Sequence, residues 1–235
     1  MPDQQLIYGV TSAANSDAVE QVIASIRGIE SQALSIARSG KLLAITSPVA
    51  AAPKLGSVPM AHLVAFERVL THLHQMLDIL PFQYGGLFSS TQAVQKHILE
   101  AETNYLATLV RIQGCTEFSI RLPVNDLSSG ESTPVARPQT GADFLRARKQ
   151  HYGTEEKLSA LVQTSFTPLL RALGDRVRQH VLDIPPTRSQ PTLRACILLE
   201  KTAKEAFIKR FTDWNRERQA VLTGPWPPFT FARDD

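Results

Sequence analysis

The sequence has only two cysteines, Cys115 and Cys196, and they have no metal-type spacing. With no export signal in view, they read as buried thiols and not as a disulfide. Long apolar runs are missing too. A membrane-spanning helix needs roughly 20 consecutive apolar residues, and the longest apolar-leaning stretch, Leu42 to Ala52, is interrupted by Thr46, Ser47 and Pro48. Met1-Pro2-Asp3-Gln4-Gln5 lacks the basic start and apolar core of a signal peptide, so the expected compartment is the cytosol.

The motifs of common catalytic sites are also missing. There is no G-x-G-x-x-G, no P-loop lysine spacing and no G-x-S-x-G nucleophile elbow. His72 and His74 are two residues apart, which on a helix turns them about 200° from each other and prevents them from sharing a metal. His62, His97, His151 and His180 have no His, Asp or Glu partner at a metal-binding helical spacing that forms a convincing set. Glu155-Glu156 and the pair Glu100 and Glu102 read as solvated helix faces, not as an acid–base dyad. Gly85-Gly86 ahead of Ser89-Ser90-Thr91 could expose backbone N–H groups to a phosphate, but without the P-loop spacing the glycines read as packing or bending residues. The expectation is a protein with no catalytic residues, no metal and no cofactor, which works by binding other proteins.

What the sequence does contain is a folded-protein composition, 43% apolar and 20% charged over 235 residues, enough for one large or two small cores. The net charge of +3 hides an asymmetry. Residues 1–140 carry 9 Lys and Arg against 11 Asp and Glu, whereas residues 141–235 carry 16 against 11. The basic excess alternates with Glu and Asp along helical segments and has no basic-aromatic module beside it. It therefore reads as a solvated helix surface, and no nucleic-acid partner is expected.

Periodicity orders the elements. Leu6, Tyr8 and Val10 alternate as a strand, and Asn15-Ser16-Asp17 caps a helix bearing Val19, Val22, Ile23 and Ile26. Ala33–Ala37 and Leu42–Thr46, split by Ser39-Gly40, form a hairpin. Leu63, Phe66, Leu70, Leu73, Leu77 and Leu80 make one helical stripe ended by Pro81. Phe82–Phe88 reads as a strand. Val94, Ile98, Ala101, Tyr105, Leu109 and Ile112 mark a second long helix stopped by Gly114. Phe118, Ile120 and Leu122 alternate as a strand, and residues 123–141, rich in Pro, Ser and Gly, read as a flexible loop. Beyond them, Leu158, Val162, Phe166, Leu169, Leu173, Val177 and Val181 share a helical stripe that Thr167-Pro168 could break. Leu193–Leu199 is a strand, Ala203, Phe207, Phe211 and Trp214 line a last helix, and Phe229–Ala232 suits a terminal strand.

This order is α+β in two lobes. The domains expected are residues 1–114 and residues 115–235, the second a modified ferredoxin-like α/β sandwich with long helices, one strand short, interrupted by the 123–141 loop.

The most unusual segment closes the chain: Leu222-Thr223-Gly224-Pro225-Trp226-Pro227-Pro228-Phe229-Thr230-Phe231. Its prolines fix φ and remove donors, so the backbone is stiff and extended. Trp226 and Phe229 are then large apolar anchors on a pre-ordered chain. Pro225, Trp226, Pro227, Pro228 and Phe229 are accordingly the candidate partner-binding residues. The competing reading is intramolecular, with the segment folding back so that Trp226 plugs the second lobe.

This closing segment resembles the terminal signature of the gas vesicle protein family GvpL/GvpF. Leu6-Ile7-Tyr8-Gly9-Val10, Leu42 to Val49, Leu80 to Phe88 and Gly114 to Arg121 are similar to the family's successive strands, so the resemblance spans nearly the whole chain. Gln83 and Gly86 depart from the Arg and Thr common there, so a charged contact at that place is not carried over. The resemblance implies a cytoplasmic accessory protein of gas vesicles, the hollow protein-shelled compartments that give some prokaryotes buoyancy. It also implies contacts with the small hydrophobic shell protein and with other accessory proteins. A ferredoxin-like ligand-binding or regulatory protein unrelated to shell assembly is the alternative, and heat stabilisation by a small molecule would reveal it.

Overall fold

The computed structural model describes residues 4–49, 58–123, 160–183 and 192–232. The expected 123–141 loop lies, but for Pro123, outside the described residues. The chain falls into two compact units, residues 1–117 with 225–235, and residues 118–224. The sequence expectation cut the chain once, after Gly114. The contacts instead group the last residues with the first part of the chain. Both units are mixed helix and sheet, each built on one sheet. No helix among the described residues is long and apolar enough to cross a membrane.

The first unit is organised around strand β1 (Gln4–Ser12). On one side it pairs antiparallel with β3 (Leu42–Val49), which pairs in turn with β2 (Ser35–Ser39). The β2–β3 turn places Gly40 at φ +54, a conformation that suits glycine. On its other side β1 meets two short strands, β4 (Leu80–Pro81) and β5 (Leu87–Phe88). As β1 passes from Gly9 to Leu6, its partner runs from Pro81 to Leu87, so the expected Phe82–Phe88 strand is an antiparallel partner with an excursion in its middle. Phe82 N–H donates to the Tyr8 carbonyl and Ile7 N–H to the Gly86 carbonyl on either side of that excursion.

Helices α1 (Ser16–Ser25) and α2 (Met60–Met76) bury Val19, Val22, Phe66, Val69, Leu70 and Leu73. They form one core with Leu6, Tyr8, Leu43, Ile45 and Ile79. The stripe read through Leu80 is shorter than expected. Leu77 is already extended (φ −136, ψ 159), because residues 79–81 are drawn into the sheet. The second long helix is likewise two: α3 (Thr91–Glu100), capped by the Ser90 side chain, and α4 (Glu102–Ile112), meeting at Ala101 with φ −98 and ψ 8. Across that break His97 Nε2 lies 2.8 Å from Tyr105 Oη, and the Phe82 and Phe88 rings pack on His97.

A β-bulge sits in the middle of β1. The register to β3 shifts between Ile7 and Gly9, leaving Tyr8 as the extra residue. Tyr8 is fully buried and stacks on Phe66 at 4.9 Å. Its Oη accepts the Ile29 N–H at 3.0 Å and shares a hydrogen bond with Ser47 Oγ at 3.1 Å. Burial pushes the Tyr8 phenol above its ordinary pKa, opposed in part by those two hydrogen bonds. Tyr84 is raised as well, first by burial and then by the nearby Glu30 and Tyr8. A raised folded-state value keeps the proton on while the unfolded chain ionises. The stability these phenols contribute is therefore intact below about pH 10 and lost as pH climbs through the folded values. Urea unfolding across pH 8–11.5 is expected to show this alkaline decline, and Tyr8→Phe should flatten it. The substitution should also cost about 1–3 kcal/mol at neutral pH, because the Ile29 N–H loses its acceptor.

The second unit runs through β6 (Cys115–Pro123), α5 (described over 160–173), β7 (Val177–Asp183), β8 (Thr192–Glu200), α6 (Lys204–Trp214) and β9 (Val221–Trp226). The first residues of β6 and the last of β9 belong to the first unit. The sheet order is β7-β8-β6-β9. This β-α-β-β-α-β sequence is the complete ferredoxin-like arrangement, and the expected missing strand is β7. Val177 and Val181 fit the helical stripe because a four-residue step also keeps two residues on one face of a strand. Gly174 at φ +56 ends α5 before them, while the described helix runs through Pro168 without the expected break. The terminal strand is Val221–Trp226, and Phe229–Ala232 is a turn.

The core of this unit gathers Phe118, Ile120, Phe166, Leu169, Ile197, Phe207, Phe211 and Trp214. Trp214 stacks on Phe166 at 5.8 Å, with the Arg218 guanidinium 5.0 Å above its ring. Cys115 and Cys196 are both buried, and the two are not joined in a disulfide.

Candidate functional site

The stiff closing segment is the candidate site, and its surroundings in the first unit are built from residues far away in sequence. Gly224 (φ +117) precedes Pro225, a conformation open to glycine and costly for other residues. Pro225 and Trp226 finish β9, with Trp226 38% exposed. Pro227 and Pro228 are buried, and Phe229 is half-buried against the core that holds Tyr8 and Phe66. Two tight contacts then turn the chain, Phe229 N–H to the Pro227 carbonyl at 2.7 Å and Phe231 N–H to the Pro228 carbonyl at 3.2 Å. Phe231 is buried at 3% exposure.

Polar groups fix this path from three elements. Thr116 Oγ1, on β6, donates to the Trp226 carbonyl at 3.0 Å. That hydroxyl also lies 3.1 Å from Nε2 of buried His74, on α2. With its proton committed to Trp226, Thr116 receives from the imidazole, which sets Nε2 as the protonated ring nitrogen. The Glu117 carboxylate, only 6% exposed, accepts from Thr230 N–H at 2.8 Å and from Thr230 Oγ1–H at 2.6 Å. Arg111, on α4, donates to the Phe231 carbonyl at 2.9 Å. A buried carboxylate with two directed donors is a charge-assisted arrangement, stronger than neutral hydrogen bonds.

The five candidate residues therefore divide. Pro225 and Trp226 face outward, while Pro227 and Pro228 are buried and Phe229 contributes to packing. The intramolecular reading is corrected in its address. The segment folds back onto the first unit, Trp226 stays partly exposed, and the tryptophan filling the second core is Trp214. His74, Arg111, Thr116 and Glu117 escaped the sequence reading. Glu117 carried a usable signal, as a carboxylate within the buried run Cys115–Phe118 where an unpartnered charge would be costly.

Other candidates resolve into structural roles. Gly86 lies against β1, where an added Cβ would come 2.8 Å from Ile7 Cγ2, and the Ser90 hydroxyl caps α3 through Ala93 N–H at 3.2 Å. Among the described residues, no group of three or more His, Cys, Asp or Glu is placed to hold a metal ion.

Comparison with known proteins adds the family. The model described as gas vesicle synthesis protein GvpL/GvpF matches residues 5–233. The crystal structure of the gas vesicle protein GvpF from Anabaena sp. PCC7120 aligns with a TM-score of 0.74 at 15% identity, covering 99% of this chain and 97% of that one. GvpF from Microcystis aeruginosa aligns with a TM-score of 0.68 at 16% identity, covering 98% of this chain and 99% of that one. At these identities the likeness carries the fold. No curated protein matches the chain in sequence.

Proposed function

The chain belongs to the GvpL/GvpF family of gas vesicle synthesis proteins, and we propose that it acts in vesicle assembly by binding the small hydrophobic shell protein and other accessory proteins. It works in the cytosol beside the growing vesicle, by binding and not by catalysis. A very hydrophobic subunit aggregates before it polymerises unless a partner covers it, and exposed apolar anchors on a rigid frame are suited to that task.

The observation that carries the reading is Trp226. Its carbonyl is anchored on Thr116 while the residue remains 38% exposed, on a backbone stiffened by Pro225 and Pro227. A large aromatic side chain held in place without ordering cost is the kind of residue that dominates interface energies. Pro225 and Trp226 form the contact, and Pro227, Pro228 and Phe229 support it from below.

Co-purification tests this with tagged chain and co-expressed shell protein, comparing Trp226 with Trp226→Ala. Truncating an interface anchor costs roughly 2 kcal/mol or more, so recovery should fall well over tenfold with the melting temperature unchanged. Equal recovery by the folded variant would remove Trp226 from the interface.

A further inference from the structure

A cleft of about 300 Å³ lies in the first unit between the end of β1, the start of α1 and the C-terminal half of α4. No residue of the closing segment or of the groups that hold it lines this cleft. Leu106, Leu109 and Val110 give it an apolar wall, with Val110 69% exposed. Its polar side is ordered from below. The hydroxyl of Thr11, a fully buried residue, donates to the Asp78 carbonyl at 2.7 Å, so it can only accept from Asn15, whose Nδ2 lies 2.9 Å away. Asn15 thereby keeps its amide oxygen for another donor. Gly114 N–H, 3.0 Å from Asp78 Oδ1, holds the carboxylate in place, and a carboxylate accepts several donors at once.

The electrostatics select the sign of a ligand. Asp78 is the one charged side chain among the described lining residues. The last turn of α4 borders the cleft, and a helix C-terminus is its negative pole. Asp17, in the first turn of α1, offsets the positive pole of that helix. The first unit, residues 1–117 with 225–235, carries 8 Lys and Arg against 11 Asp and Glu. A cation is favoured on every count, and the apolar wall suits an alkyl stem behind it.

We propose that this cleft binds a primary alkylammonium group, the chemistry shared by a lysine side chain and a free aliphatic amine. Asp78 and the Asn15 oxygen take the ammonium, and Leu106 and Val110 line the path of its methylenes. The site does not depend on the Trp226 contact, so either assignment can fail without the other.

The test is an NMR titration of the full-length chain with Nα-acetyl-lysine methylamide, read at the Asn15, Val110 and Gln113 amides. Saturable shifts are expected there. The norleucine counterpart, which keeps an alkyl stem and lacks the charge, should bind at least about tenfold more weakly, as should the lysine derivative to Asp78→Asn. The substituted amide still offers an oxygen to Gly114 N–H, and the norleucine comparison gives a reading on the unmodified chain even where that variant does not fold. Butylammonium, titrated in parallel, identifies the source. Tighter binding of the lysine derivative assigns the group to a protein partner, and tighter binding of butylammonium assigns it to a free amine. The proposal is overturned if neither amine shifts these residues saturably, if the norleucine derivative binds as well as the lysine one, or if folded Asp78→Asn binds as tightly as the unmodified chain.

Discussion

Phe207→Ala is expected to lower the stability of the second unit by about 3–5 kcal/mol, the range for deleting a fully buried aromatic ring. Phe207 has no exposed surface and its ring centroid lies 4.7 Å from that of Phe118. It projects from α6 into the layer formed by Phe118, Ile120 and Ile197 of the sheet, with Phe211 and Trp214 on the same helix face. Those neighbours are held by rings and strands on every side, so the cavity has little means of closing. Urea unfolding followed through Trp214 emission, in a Trp226→Phe background, reads the second unit directly. A loss under 1 kcal/mol would mean that the layer collapses around the gap, contrary to the packing described.

Gly9→Val should be nearly as damaging, in the first unit. An added Cβ at Gly9 would stand 2.7 Å from Ile79 Cδ1 and 2.8 Å from the Leu80 carbonyl oxygen, closer than real contacts allow. The Ile79 side chain could shift, but the Leu80 carbonyl belongs to β4, which is paired to β1 at this point. β1 is held by β3 on its other side, so the strain must separate β4 from the sheet or move the bulge at Tyr8. Overpacking of this kind costs typically 1–3 kcal/mol and more when backbone is the obstacle; a loss of about 3 kcal/mol is expected. Chemical denaturation should show it, together with faster exchange at Val10, whose partner is Leu80. A variant of wild-type stability would refute the close approach of β4 to β1.

The elements that could be read from the sequence were those whose local signals and tertiary roles agree. α1 and the first strands of the sheet have clean periodicity and turn residues, and the closing signature marked the family. Misreadings arose where two physical codes coincide. Val177 and Val181 satisfy both a helical and a strand face, and only the left-handed Gly174 separates them. Leu77 and Leu80 continue the α2 stripe, yet pairing with β1 outweighs helix propensity there. Ala101 carries no breaking signal, since the bend at that residue is imposed by the packing of α3 and α4. The candidate site was half legible. Proline stiffness and the two aromatics could be seen in the chain, but Thr116 and Glu117 are brought to Trp226 and Thr230 only by the fold, across more than a hundred residues.

These features give the proposed assembly role a physical form. A first unit closed by the chain's own end holds Trp226 in a fixed place, and a complete ferredoxin-like unit lies between the two halves of that closure in sequence. Substitutions in Glu117 or Thr230 and substitution of Trp226 should therefore separate, the former acting through the order of the segment and the latter through its contact.

The proposed role requires that this protein bind the vesicle shell subunit during assembly. Co-expression of the tagged chain with the small shell protein, followed by mild co-purification, tests it most directly. The shell protein should be recovered with the intact chain, at a level that drops with Trp226→Ala. Absence of the shell protein from the intact chain's eluate, with both proteins present and soluble in the cells, would contradict it.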